Sequence, residues 1–140
     1  MTTHETPSTE PLVKRLVILA SVMGTIGVVL GALGAHALTE HLSAKELGAF
    51  ETGVRYHMYH TLALLALAAL TGRVKAAGIR WTGNLFAVGT LLFSGSLYLL
   101  STQKITGLAL GILGPVTPIG GLLLIIGWAA LLWSVLKSKS

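Results

Sequence analysis

The chain alternates long apolar runs with short polar ones. Residues Leu16 to Ala35 form an uncharged run of 20, about the length of helix that crosses a bilayer core. The second run, Phe50 to Leu70, divides in two: Thr61 to Leu70 is wholly uncharged, while the first half carries Glu51, Arg55, Tyr56, His57, Tyr59 and His60. Because Thr61 to Leu70 covers only about half of a roughly 20-residue span, this segment crosses only by taking its polar half into or against the membrane. A third run extends from Trp81 to Ser101, and a fourth, opened by Pro118, is completed by Leu122 to Leu136. The pattern predicts an all-α protein, a four-helix transmembrane bundle with helices at about 13–36, 44–71, 81–101 and 118–136. They form one membrane domain, 13–137, after a disordered polar tail, 1–12.

Local signals sharpen the ends. Ser43-Ala44-Lys45-Glu46 is a capping box that starts the second helix at Ala44. Pro118 suits the first turn of the fourth helix. The glycine-rich connector 102–117 includes an apolar stretch, Ile105 to Leu113, too short to cross; it either lies at the interface or extends the third helix past a kink. Lys14-Arg15 ahead of the first run, with Ala35-His36-Ala37 behind it, also fits a signal peptide. A 20-residue run is long for that role, and an uncleaved helix is favoured.

Composition agrees with a membrane protein. Of 140 residues, 53% are hydrophobic and 11% charged, and the mean hydropathy is +0.78. The absence of cysteine excludes disulfides, thiolate metal sites and thiol nucleophiles. The net charge of +5 comes from bases flanking apolar runs, not from a nucleic-acid patch. Lys14, Arg15, Arg73, Lys75, Arg80, Lys137 and Lys139 fall on one side, against Lys45, Lys104 and Arg55 on the other. The positive-inside rule then puts both termini in the cytoplasm of a cell whose plasma membrane holds the protein.

That topology gathers polar residues at the outer side. His60, His57 and Arg55 stand about 16, 21 and 24 Å from the inner end of their helix, within the outer half of a core about 30 Å thick. Glu51 and Arg55, four apart, are placed to form a rim ion pair, with anion or headgroup binding by Arg55 as the alternative. His57 and His60, three apart, could share a metal or haem iron, with His36 or Glu46 adding ligands. The other readings are packing residues hydrogen-bonded to Tyr98, Ser94 or backbone carbonyls, and groups that handle protons or small molecules. No cofactor is called for by a motif: there is no HExxH and no nucleophile beside a base, so no catalytic residue is assigned. On the first helix, Ala20, Gly24, Gly27, Gly31 and Gly34 repeat at 4, 3, 4 and 3, one small-residue face for close helix packing.

Four motifs carry a resemblance. GALGAHAL (Gly31 to Leu38), FETGVRYHMYHTLALL (Phe50 to Leu65), FSGSLYLL (Phe93 to Leu100) and TPIGGLLLIIGW (Thr117 to Trp128) occur in this order and spacing. Together they resemble the YgdD/YwdK family of small bacterial inner-membrane proteins, a domain of unknown function to which a small animal transmembrane protein also belongs. The likeness covers roughly Met23 to Trp133. It implies four membrane helices and marks His36, Glu51, Arg55, Tyr56 and His60, a candidate ligand-binding set. His57 stands where the family often has glutamine, and Ala37 where it usually has glycine. The resemblance implies no activity. The function expected is structural, an accessory subunit packing through its glycine faces in a homo-oligomer or larger membrane complex. The alternative is binding or transport of a small molecule, lipid or metal at the outer polar cluster, and an enzyme ranks last.

Overall fold

The computed structural model describes residues 9–138. It has four helices: α1 (Glu10–Ala35), α2 (Ala44–Leu70), α3 (Ala76–Thr106) and α4 (Val116–Leu136), with a 3-10 turn at Gly111–Leu113. The fold is all-α, as expected, with boundaries that differ for local reasons. α1 begins at Glu10 because Pro11 sits in its first turn, where a missing N–H costs nothing. Leu12, expected in the tail, is instead buried in the core. The rest of the expected tail, 1–8, lies outside the described residues.

The capping box of α2 forms in both directions. The Glu46 amide donates to the Ser43 hydroxyl, and the Ser43 amide donates to the Glu46 carboxylate at 2.9 Å. α3 runs five residues beyond its expected span at each end and stops at Gly107, whose φ of +67° is open to glycine without strain. Its 31 residues exceed a membrane core. Arg80 and Lys104 lie about 36 Å apart along it, so both charges clear a core of about 30 Å. Ile105 to Leu113 is divided between the end of α3, the Gly107 reversal and the 3-10 turn, and forms no span of its own. α4 starts at Val116, which places Pro118 inside its first turn.

Each helix packs chiefly on its sequence neighbour, antiparallel to it. α1 touches α3 lightly, and among the described residues α1 and α4 do not meet, so the bundle is open along its α1–α3 side. The glycine face of α1 is filled by α2. Gly24 meets Thr61, Gly27 meets Met58 and His57, Gly31 meets Val54, and Gly34 meets the Phe50 ring. A second seam joins α3 to α4: Gly89 against Leu124, Gly127 against Phe86, and Gly120 directly against the Phe93 backbone.

The core is apolar at one end, where Leu12, Leu16, Leu64, Leu67 and Ile79 are buried. At the other end the buried residues include His57, His60, Ser94 and Ser101. Large apolar side chains cover the outside, Val28, Leu91, Ile125 and Leu132 among them. α1, α3 and the segment Gly111–Leu136 are long and apolar enough to cross a membrane.

Candidate functional site

His57 and His60 diverge by about 60° around the α2 axis, enough to send them to different neighbours. The His60 ring reaches α4. Its Nδ1 lies 2.8 Å from the Tyr56 carbonyl, and its Nε2 lies 3.3 Å from the Trp128 indole nitrogen. A carbonyl can only accept and an indole N–H can only donate. His60 is therefore a neutral imidazole with its proton on Nδ1. Phe86 meets the ring edge-on at 5.1 Å and Tyr56 stacks on it at 6.3 Å. Both ring nitrogens are engaged, so His60 offers no lone pair to an ion.

His57 turns towards α1 and α3. Its Nδ1 is 3.1 Å from the Tyr98 hydroxyl. Two glycines make this possible: a Cβ at Gly53 would stand 2.9 Å from Tyr98 Cε1, and one at Gly27 3.5 Å from His57 Cδ2. The Nε2 atom is buried and forms no hydrogen bond of ordinary geometry; the Met23 carbonyl of α1 is the acceptor on that side. Among the described residues no group of three or more His, Asp or Glu is placed to hold a metal ion.

Where α1 and α3 stand apart, a cleft of about 310 Å³ opens beside His57. Leu19, Met23, Ile26 and Leu30 form its α1 wall. Thr90, Ser94 and Tyr98, four residues apart in turn, run down its α3 wall. Thr90 is 2% exposed and Ser94 1%, yet neither hydroxyl has a hydrogen-bond partner. Other hydroxyls in the same helices do. Thr25, Thr52, Thr61, Thr102 and Ser134 each donate to the carbonyl four residues back, the usual way a helix satisfies them in lipid. Three of the four buried unpaired side-chain atoms among the described residues belong to His57, Thr90 and Ser94, all in this cleft; the fourth is Thr82.

The five residues marked by the resemblance do not form one site. Glu51 and Arg55 line a separate recess of about 250 Å³ with Gly31 and Gly34. They do not pair: the one ion pair among the described residues is Glu46–Lys104, at 2.6 Å. Glu51 and Arg55 are both exposed, where solvation competes with pairing. Glu46 instead has Lys104 and the Ser43 hydroxyl on it, and these hold its carboxyl well below the usual 4.5, at about 2. Tyr56 faces α3, its ring 4.9 Å from Phe93. His36 is exposed at the end of α1, its carbonyl accepting from the Thr39 hydroxyl at 2.7 Å. The sequence reading missed Thr90, although its spacing to Ser94 and Tyr98 was available. It also missed Trp128 as the partner of His60, for which no local signal exists.

Antiparallel helices with apolar side chains outside and polar ones turned inward make this an integral membrane protein. The family model described as "Protein of unknown function (DUF423)" matches residues 30–121, and the chain belongs to that family. It is 40% identical over 124 residues to the UPF0382 inner membrane protein YgdD of Escherichia coli K12, covering 89% of this chain and 91% of that one. It is also 40% identical over 125 residues to the UPF0382 membrane protein YwdK of Bacillus subtilis, covering 89% and 98%. The resemblance read from the four motifs is thereby borne out. No solved structure matches the chain.

Proposed function

We propose that this protein sits in the bacterial inner membrane with both termini in the cytoplasm, and binds a membrane-borne apolar molecule sideways between α1 and α3. One observation carries the binding reading: a cleft with a hydrocarbon wall in which the buried hydroxyls of Thr90 and Ser94 lack partners. Leaving a buried polar group unsatisfied costs about 1–3 kcal/mol. A ligand that supplies the missing partners recovers that cost. The open α1–α3 side gives it a route from the bilayer.

The orientation draws on the bases beside each helix and on the inner-membrane name of a relative. α2 is the fourth crossing, because α1 lies along it from Gly24–Thr61 to Gly34–Phe50. Since the chain has no cysteine, single-cysteine labelling in intact cells tests this directly. Glu40→Cys should react with an impermeant maleimide and Lys75→Cys only after permeabilisation. The reverse pattern would overturn the orientation. Binding is tested by native mass spectrometry of protein released from its own membrane, with metal analysis on the same sample. A retained apolar molecule of fixed mass is the expected result, and a bare chain in every preparation would reject it.

The accessory-subunit reading draws on Glu51 and Arg55, exposed and unpaired with each other at the recess near the outer rim. A partner or a lipid headgroup would satisfy them. The glycine face of α1 does not serve that reading, because α2 already occupies it. A co-released subunit or second copy in the same spectra would favour it.

A further inference from the structure

We infer that the cleft takes a neutral head bearing two hydrogen-bond-accepting oxygens about one helical turn apart, the arrangement of a para-quinone ring, with a single apolar tail leaving into the bilayer. This rests on the lateral-binding reading and specifies its ligand class.

Charge comes first. No Asp, Glu, Lys or Arg lines the cleft, so a phosphate, carboxylate or ammonium would be buried there without a counter-charge, at heavy cost. That removes ordinary phospholipid heads and fatty acids. Next comes the donor pattern. The unpaired Thr90 and Ser94 hydroxyls are four residues apart on α3, about 6 Å along the axis. Neither bonds to the carbonyl four residues back, and a turn about Cα–Cβ would present each hydroxyl to an acceptor in the cleft. Two acceptors at that spacing match the opposed carbonyl oxygens of a six-membered ring, whereas a simple long-chain alcohol has one oxygen and satisfies one hydroxyl.

Shape agrees. Gly95 leaves open space beside Ser94, with nothing within 4 Å of where its Cβ would be. The volume of about 310 Å³ is at the small end for ligand pockets, which run from roughly 300 to 1,000 Å³. It holds a ring but not a branched head with two chains. At the rim, Ile26 is 47% exposed and Leu91 71%, an apolar exit for one tail.

The test uses the full chain in phosphatidylcholine nanodiscs and a para-benzoquinone carrying one decyl tail. Binding is followed by native mass spectrometry and by quenching of intrinsic fluorescence. Decanol and monooleoylglycerol are the comparison probes. Ser94→Ala and Thr90→Val each delete one unpaired hydroxyl and keep the shape, so folding should hold, checked by thermal melting. Each should weaken quinone binding about three- to tenfold, the worth of one hydrogen bond. Thr82→Val removes an unpaired hydroxyl outside the cleft and should leave binding unchanged. If decanol or monooleoylglycerol binds with that Ser94 and Thr90 sensitivity and the quinone does not, the quinone assignment falls and the lateral site stands. If quinone binding ignores both substitutions, it lies elsewhere and the assignment falls. If no probe binds and native preparations carry no apolar ligand, the lateral site falls too.

Discussion

Gly120→Ala should damage the fold more than any single glycine-to-alanine change on the α1 stripe. At Gly120 an added Cβ would meet the backbone of Phe93, with the Phe93 Cα at 2.8 Å and the Leu92 carbonyl carbon at 2.9 Å. Ordinary contact begins at 3.4 Å, so α3 and α4 would have to part by at least about 0.6 Å at their closest point. Neither atom can rotate away. Overpacking of this kind costs about 1–3 kcal/mol, against about 0.5–1 kcal/mol gained by removing a glycine from a helix interior. The upper part of the overpacking range applies because backbone cannot yield, leaving a net loss of about 1–2 kcal/mol. The Phe93 amide nitrogen lies closer still to the Cβ added at Gly120, whereas at Gly27 the nearest atom, at 2.5 Å, is the Met58 sulfur at the end of a flexible side chain. A methionine re-packs readily, and Gly27→Ala should stay within about 1 kcal/mol of the parent. Gly121→Ala, 3.5 Å from the Phe93 ring, is the control on the same helix and should be neutral or slightly stabilising. Reversible unfolding in mixed micelles, followed by circular dichroism, ranks the three. If Gly120→Ala proves as stable as Gly121→Ala, α3 and α4 do not cross as closely as described.

Three further outcomes follow from the polar contacts. Tyr98→Phe leaves the His57 Nδ1 with no partner and should cost about 1–3 kcal/mol, while the double change with His57→Leu should recover most of it; no recovery would mean that the pair is not the reason for the loss. Trp128→Phe removes the donor to His60 Nε2 and should cost about 1–2 kcal/mol; nitrogen NMR of the parent should show His60 protonated on Nδ1 alone, and a mixed or reversed tautomer would contradict the assignment. Glu46, held at about 2 against 4.5 by Lys104 and Ser43, has its carboxyl depressed by folding, so its contribution is complete above about 4.5 and is lost as pH falls towards about 2. Glu46→Gln should flatten stability over that window, and an unchanged acid limb would exclude the ion pair as its source.

The elements were largely legible because lipid imposes long runs and because the start of α2 carries its own cap in Ser43 and Glu46. The ends of α3 were not legible. Residues 76–80 follow the Gly72–Lys75 turn and include Gly78 and Arg80, and 102–106 are mostly polar, so both look like loop, yet Thr102 and Thr106 bond back to the helix and carry it onward. The glycine stripe of α1 reads as a close-packing face, but spacing cannot say whether the occupant is another protein or the next helix; α2 lies against it. The α3–α4 seam went unread because Gly120 and Gly127 sit among so many glycines that only their register against Phe93 and Phe86 distinguishes them.

The polar half of α2 shows why site residues are harder to read than spans. Periodicity places Glu51, Arg55, Tyr56, His57 and His60 at one end of one helix, and a one-dimensional reading joins them into a cluster. In three dimensions a helix has several neighbours, and each takes a different residue: α1 borders the recess of Glu51 and Arg55, α3 meets His57 through Tyr98, and α4 meets His60 through Trp128. His60 ends with both nitrogens spent on the protein, while His57 stands beside two unspent hydroxyls, Thr90 and Ser94. Saturated groups hold a membrane fold together and unsaturated ones are available to a ligand. By that criterion the binding site we propose draws on Thr90 and Ser94 in the α1–α3 cleft.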